Sequence, residues 1–137
     1  MSQVIKFSDA VVLGFHAMLR LAQSGECGLR MQEIADNLSV SGAHLSKVMQ
    51  RLRKVGLINA GRGPSGGYRL AGKPADISLE SIYEAIDGPI LTSFCLFQRP
   101  VCMDKSCGLG NHIGELNQKL KAYLSKTTLA SLLKKSR

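Results

Sequence analysis

Three of the chain's four cysteines fall within CLFQRPVCMDKSC, at Cys95, Cys102 and Cys107, and His112 follows them. Thiols and imidazoles are the side chains that bind borderline and soft metals, and thiols also carry reversible redox chemistry. The spacing C-x6-C-x4-C is neither the close cysteine pair of a structural zinc site nor the C-x-x-C of a dithiol redox site. Widely spaced thiols on an irregular segment can wrap an iron–sulfur cluster, with Gly108 and Gly110 giving the backbone freedom to approach it. A thiol switch is the second reading, since Cys95 could approach Cys107 and Arg99 and Lys105 are neighbouring positive charges. A sulfur-rich stretch with no role is the third possibility. Cys27, set between glycines, reads as a small apolar residue.

No catalytic constellation competes with this segment. His16, His44 and His112 are far apart, and no G-x-S-x-G or H-E-x-x-H motif is present. GRGPSGG lacks the lysine and hydroxyl residue of a nucleotide-binding loop. The chain is therefore expected not to be an enzyme.

The elements that must position these groups come from 137 residues at 45% hydrophobic content, enough for one core. No 18-residue apolar run or cleavable leader pattern appears, so a cytoplasmic chain with no membrane partner is expected. Thiols stay reduced in that compartment, which favours metal or redox chemistry over structural disulfides. The net charge of +8 is concentrated. Between Arg30 and Lys73 stand eight basic residues against only Glu33 and Asp36. That density fits a polyanionic partner, a merely solvated face being the plain alternative.

Ser8 reads as the N-cap of a first helix, DAVVLGFHAMLRLAQ, with Val11, Phe15, Met18 and Ala22 at helical spacing and GECG closing it. MQEIADNLSV reads as a short helix with Ile34, Ala35 and Leu38 inward. After an SVS turn, GAHLSKVMQRLRKVG reads as a basic amphipathic helix capped by Ser41, with Leu45, Val48, Met49 and Leu52 on its inner face. Short helix, tight turn and basic helix predict a helix-turn-helix. LINA, GRGPSGG and YRLA then predict a two-stranded wing whose tip carries Arg62 and Gly63. KPAD reads as a linker, and SLESIYEAIDG as a helix ended by Gly88 and Pro89. Beyond the cysteines, Ile113, Leu116, Leu120 and Tyr123 or Leu124 form a stripe on a long helix, and Thr127 or Thr128 caps a last turn or two. That stripe can pack on a second copy, on the first helix, or on both. The expected fold is mainly α with a small β-hairpin wing: a winged helix-turn-helix plus a long C-terminal dimerisation helix. Residues 1–88 would form the DNA-binding domain, 89–110 the cysteine-bearing loop, and 111–137 the dimerisation helix and tail.

On the solvent side of the third helix lie Ser41, His44, Ser46, Lys47, Gln50 and Arg51. Lys47 or Arg51 suits guanine edges, Gln50 suits adenine, and the serines suit phosphates. Arg62 suits a narrow minor groove, with Gly63 allowing close backbone approach.

The chain resembles the Rrf-two family of winged-helix transcription regulators, which includes IscR-type and NsrR-type iron–sulfur sensors. The stretches that carry the resemblance are KFSDAVVLGFHAMLRLA, MQEIADNLSVSGAHLSKVMQRLRKVGLINAGRGPSGGYRLA and IYEAIDGP, the RGPSGGYRL wing being the most specific. The resemblance runs from about residue 5 to 133. It implies a homodimer on double-stranded, palindromic operator DNA, acting as a repressor and sensing redox state, nitric oxide or iron–sulfur supply. It further implies a 2Fe–2S or 4Fe–4S cluster on Cys95, Cys102 and Cys107. NsrR-like members take a fourth ligand from an aspartate in the first helix of the partner subunit, a position matched here by Asp9. IscR-like members use a histidine shortly after the third cysteine, where this chain has Gly110, with His112 two further on. The family's usual loop is C-x5-C-x5-C, so the middle cysteine is displaced by one while the end-to-end span is kept. IscR-like members carry a glutamate where Ser46 stands, which implies an altered operator preference. The rival expectations are a cluster-free thiol- or metabolite-responsive repressor, and a regulator that binds an enzyme directly.

Overall fold

Ser8 fixes where the chain begins to fold. Its hydroxyl accepts from the Val11 amide at 3.2 Å and so satisfies one orphan donor of α1 (Asp9–Ser24). The computed structural model describes residues 5–61, 66–91 and 107–135. In α1 the buried positions are Val11, Leu13, Gly14, Ala17, Met18 and Leu21. The inward stripe is thus rotated from the expected one. Phe15 is only half-buried, because it stacks edge-on against Phe7 at 5.6 Å, and Phe7 in turn meets Tyr83 at 6.1 Å. A short 3-10 turn, Gly25–Cys27, follows.

The helix-turn-helix pair is α2 (Met31–Leu38) and α3 (Gly42–Lys54). Glu33 accepts from the Arg30 amide at 2.8 Å and closes the start of α2. Its end is made by Ser39 in the left-handed region (φ 53°), whose amide donates to the Ala35 carbonyl. A β-branched side chain is strained in that conformation. Ser39→Val is therefore expected to lower stability by about 1–2 kcal/mol in urea denaturation. Ser41 caps α3 as expected, accepting from the His44 amide at 3.2 Å. Leu45, Val48, Met49 and Leu52 are all buried.

The wing strands β1 (Ile58–Ala60) and β2 (Tyr68–Leu70) pair antiparallel, with Asn59 opposite Arg69. A third partner was not legible in the sequence. Leu29 exchanges both backbone hydrogen bonds with Tyr68, at 3.0 and 2.7 Å. Gly28, at φ 72°, permits this: a Cβ there would lie 2.8 Å from the Tyr68 carbonyl oxygen. The root of the wing is thereby pinned to the entry of α2.

KPAD is not a bare linker but holds a 3-10 turn, Pro74–Asp76, leading to α4 (Leu79–Asp87). The long helix α5 (Gly108–Lys126) starts three residues before the expected boundary at 111, so Cys107 caps a helix rather than lying inside a loop. After it, α6 (Leu129–Lys135) is capped by Thr128, whose hydroxyl accepts from the Ser131 amide. The tail folds back onto the core: Leu79 N–H donates to the Thr127 carbonyl and Leu129 N–H to the Ile77 carbonyl. Leu124 and Leu129 are buried among the residues of α1, α3 and α4. The expected stripe on α5 is split between two faces. Leu124 is buried, and Ile113 and Leu120 are half-buried, whereas Leu109, Leu116 and Tyr123 are exposed by 70, 59 and 52%. Among the described residues no helix is long and apolar enough to cross a membrane.

Candidate nucleic-acid interface and cysteine site

The buried leucine–valine–methionine face of α3 leaves its opposite face to solvent. Ser41, His44, Lys47, Gln50 and Arg51 are exposed there, and Ser46 is half-buried. None of the six belongs to the buried face of the helix. Arg62 and Gly63 lie outside the described residues, but the base of the turn that carries them is closed by Gly61 N–H donating to the Gly67 carbonyl at 2.8 Å.

Arg51 differs from its neighbours. Its Nη1 donates to the Ile86 carbonyl of α4 at 2.9 Å. That carbonyl belongs to the last turn of a helix, where no intrahelical donor remains and a positive charge suits the dipole. The bond contributes about 1 kcal/mol at such a partly exposed site. One residue on, Asp87 accepts from the Ser8 hydroxyl at 2.7 Å, which ties the end of α4 to the start of α1. Neither link had a signal in the sequence, because the partners are 35 and 79 residues apart.

Of the cysteine-site candidates, Cys95 and Cys102 lie outside the described residues. Cys107 is exposed at the N-cap of α5, its Sγ accepting from the Gly110 amide at 3.4 Å. His112 is exposed one turn further on. Asp9 opens α1 and is exposed, lining a cleft of about 530 Å³ with Val12, His16, Leu38, Val40 and His44 among others. Asp9 and His16 do share a face, as their spacing of seven predicts, and the cleft adds His44 from the recognition helix. Neither Cys107 nor His112 lines that cleft. Among the described residues, no group of three or more His, Cys, Asp or Glu could hold a metal ion. Cys27 is exposed at the 3-10 turn beside the wing root.

A family model described as "Iron-dependent Transcriptional regulator", Rrf2, matches residues 7–135. The chain belongs to the Rrf2 family. Among relatives, the HTH-type transcriptional regulator IscR of Vibrio atlanticus is 28% identical over 119 residues, covering 86% of this chain and 69% of that one. Among solved structures, CymR, the global cysteine regulator of B. subtilis, superposes with a TM-score of 0.82 at 27% identity, covering 94% of this chain and 96% of the other. The T. potens IscR structure gives 0.79 at 28% identity, covering 98 and 90%. The winged helix-turn-helix described above is accordingly that of a DNA-binding transcription regulator, and the Rrf2 family is one of regulators rather than enzymes. The likenesses include both an IscR and a CymR described as a global cysteine regulator.

Proposed function

We propose that this Rrf2 protein is a cytoplasmic homodimer that represses transcription at a palindromic operator and responds to redox state, nitric oxide or iron–sulfur supply through a cluster. The observation that carries the reading is the position of Cys107. Its exposed thiol caps α5, and the same helix bears the exposed stripe of Leu109, Leu116 and Tyr123, spaced seven apart. A residue that could hold a cluster and a surface that suits a second copy thus stand on one rigid element. The donor chemistry fits, since three thiols within thirteen residues are the ligand type that iron–sulfur clusters take. Cys95, Cys102 and Cys107 would hold the cluster, with Asp9 of the partner as fourth ligand and His112 as the lesser choice. When bound, such a cluster supplies one-electron redox chemistry and iron sites open to small ligands.

On the DNA side, Lys47 and Gln50 read bases. Ser41, His44 and Ser46 meet phosphates, and Arg62 enters the minor groove beside Gly63. A change in the cysteine segment alters the spacing of the two recognition helices and with it the affinity. The likeness to CymR favours a second reading, a cluster-free thiol switch acting through the same exposed Cys107.

Protein purified without oxygen is expected to be coloured, with about two to four iron atoms and as many sulfides per chain. Colourless, iron-free protein that resists reconstitution overturns the cluster reading. In that case, DNA binding lost on mild oxidation and restored by reductant supports the thiol switch. Tight, steeply salt-dependent binding to one palindrome is expected under either reading, and its absence favours a regulator that acts by protein contact.

A further inference from the structure

We infer that Arg51 is a positioning residue: it clamps the recognition helix α3 to the root of the cysteine-bearing segment and does not read bases. The inference rests on α3 being the recognition helix, and it reassigns one residue of that surface.

Two consecutive residues at the end of α4, Ile86 and Asp87, are held from other elements by three contacts. The Ile86 carbonyl accepts from Arg51 Nη1 at 2.9 Å. The Ile86 side chain fills the notch left by Gly14 in α1, where Ile82 and Val48 also converge. Asp87 accepts from Ser8, the cap of α1, at 2.7 Å. Gly88 then turns the chain out of the helix at φ 85°, toward the residues that lead to Cys95. A shift of this root is therefore passed to α3 through Arg51 and to the start of α1 through Ser8. Asp9 is the next residue along α1.

The same bond argues against base reading. A guanidinium recognises guanine bidentately, through two N–H groups presented side by side. Committing Nη1 to a carbonyl on α4 removes one of the two bidentate edges and leaves only the Nε/Nη2 edge for any base. It also aims the group at a neighbouring helix. The neutral partner it satisfies is a carbonyl of the last helical turn, which otherwise has no donor within α4.

The test uses the full chain. A duplex site is first selected from a random pool with the wild-type protein, and Arg51→Met is then compared on it. The expected result is about tenfold weaker binding, with base preference weakened evenly across each half-site and the salt dependence unchanged. Without DNA, exchange of the Gly88 amide, which bonds to the Glu84 carbonyl, should be about fivefold faster, because the end of α4 frays once the clamp is lost. Preference lost at a single base pair overturns the inference in favour of a reader. A salt slope smaller by about one overturns it in favour of a phosphate contact. Unchanged Gly88 exchange overturns it as well. Where Arg51→Met does not fold, Arg51→Lys decides. Lysine keeps a donor and the charge but loses the planar fork, so a base contact made by Arg51 would change at its own position. An unchanged consensus supports the clamp, and a consensus altered at one position refutes it. If the wild type enriches no sequence, the DNA-reading premise has failed, and the exchange experiment still judges the clamp.

Discussion

Gly14→Val should melt roughly 10 °C below the wild type, a loss of about 3 kcal/mol for a chain of this size. Gly14 is fully inside the packing between α1 and α4, and a Cβ built on it would overlap Ile86 Cδ1. Ile82 Cγ2 lies 3.5 Å and Val48 Cγ1 3.6 Å from the same point, so the notch has no spare side. Gly14→Ala is a milder case. The terminal methyl of Ile86 can rotate aside, and alanine returns about 1 kcal/mol of helix propensity over glycine. Valine adds two more methyl groups on a side chain with one favoured rotamer in a helix, so it cannot turn away from the contact. The helices must then separate. Thermal and urea denaturation of the two variants give the comparison. A valine variant within about 1 kcal/mol of the alanine variant would show that α4 can shift without loss.

Cys107→Ser is expected to reduce the iron content of anaerobically purified protein by at least tenfold and to remove its visible absorption. The substitution isolates the thiol, because serine is one of the preferred N-cap residues. The position at the start of α5 is then capped at least as well as by the 3.4 Å sulfur contact to Gly110. Loss of iron is thus separated from loss of structure, and an unchanged melting temperature of the iron-free form confirms the separation. Cys27→Ala, at the wing root, should leave iron and colour unchanged. If Cys107→Ser retains full iron, the proposed ligand set is wrong. A salt-dependent DNA affinity that survives the same substitution in reduced protein, but no longer responds to oxidant, would favour the thiol switch.

The parts of this molecule that were readable from sequence are those set by neighbours a few residues away. Ser8 and Ser41 announce their helices because an N-cap acts on the amide three residues on. Leu45, Val48, Met49 and Leu52 mark their face by period alone, and the wing strands are bounded by glycine-rich turns. What escaped was decided at long range. No local rule says that Leu29 pairs with Tyr68, that Arg51 finds the Ile86 carbonyl, or that Asp9, His16 and His44 line one cleft. The stripe on α1 was misplaced by part of a turn because Phe15 finds an aromatic partner at the rim instead of the core. Glycines at 108 and 110 read as loop residues, yet they begin α5, since a helix packed on its neighbours tolerates their low propensity.

The return of the tail into the core has a consequence for how the protein comes into being in the cell. A ribosome that has synthesised the chain as far as Cys107 has already made every residue assigned to the DNA face. Leu124 and Leu129, which complete the floor beneath α1 and α4, are still unborn at that moment. Synthesis proceeds at about 5–20 residues per second, so the DNA face waits a second or more for α5 and α6. A chain ending before Leu124 lacks these two core side chains and is expected to be less stable than the full chain.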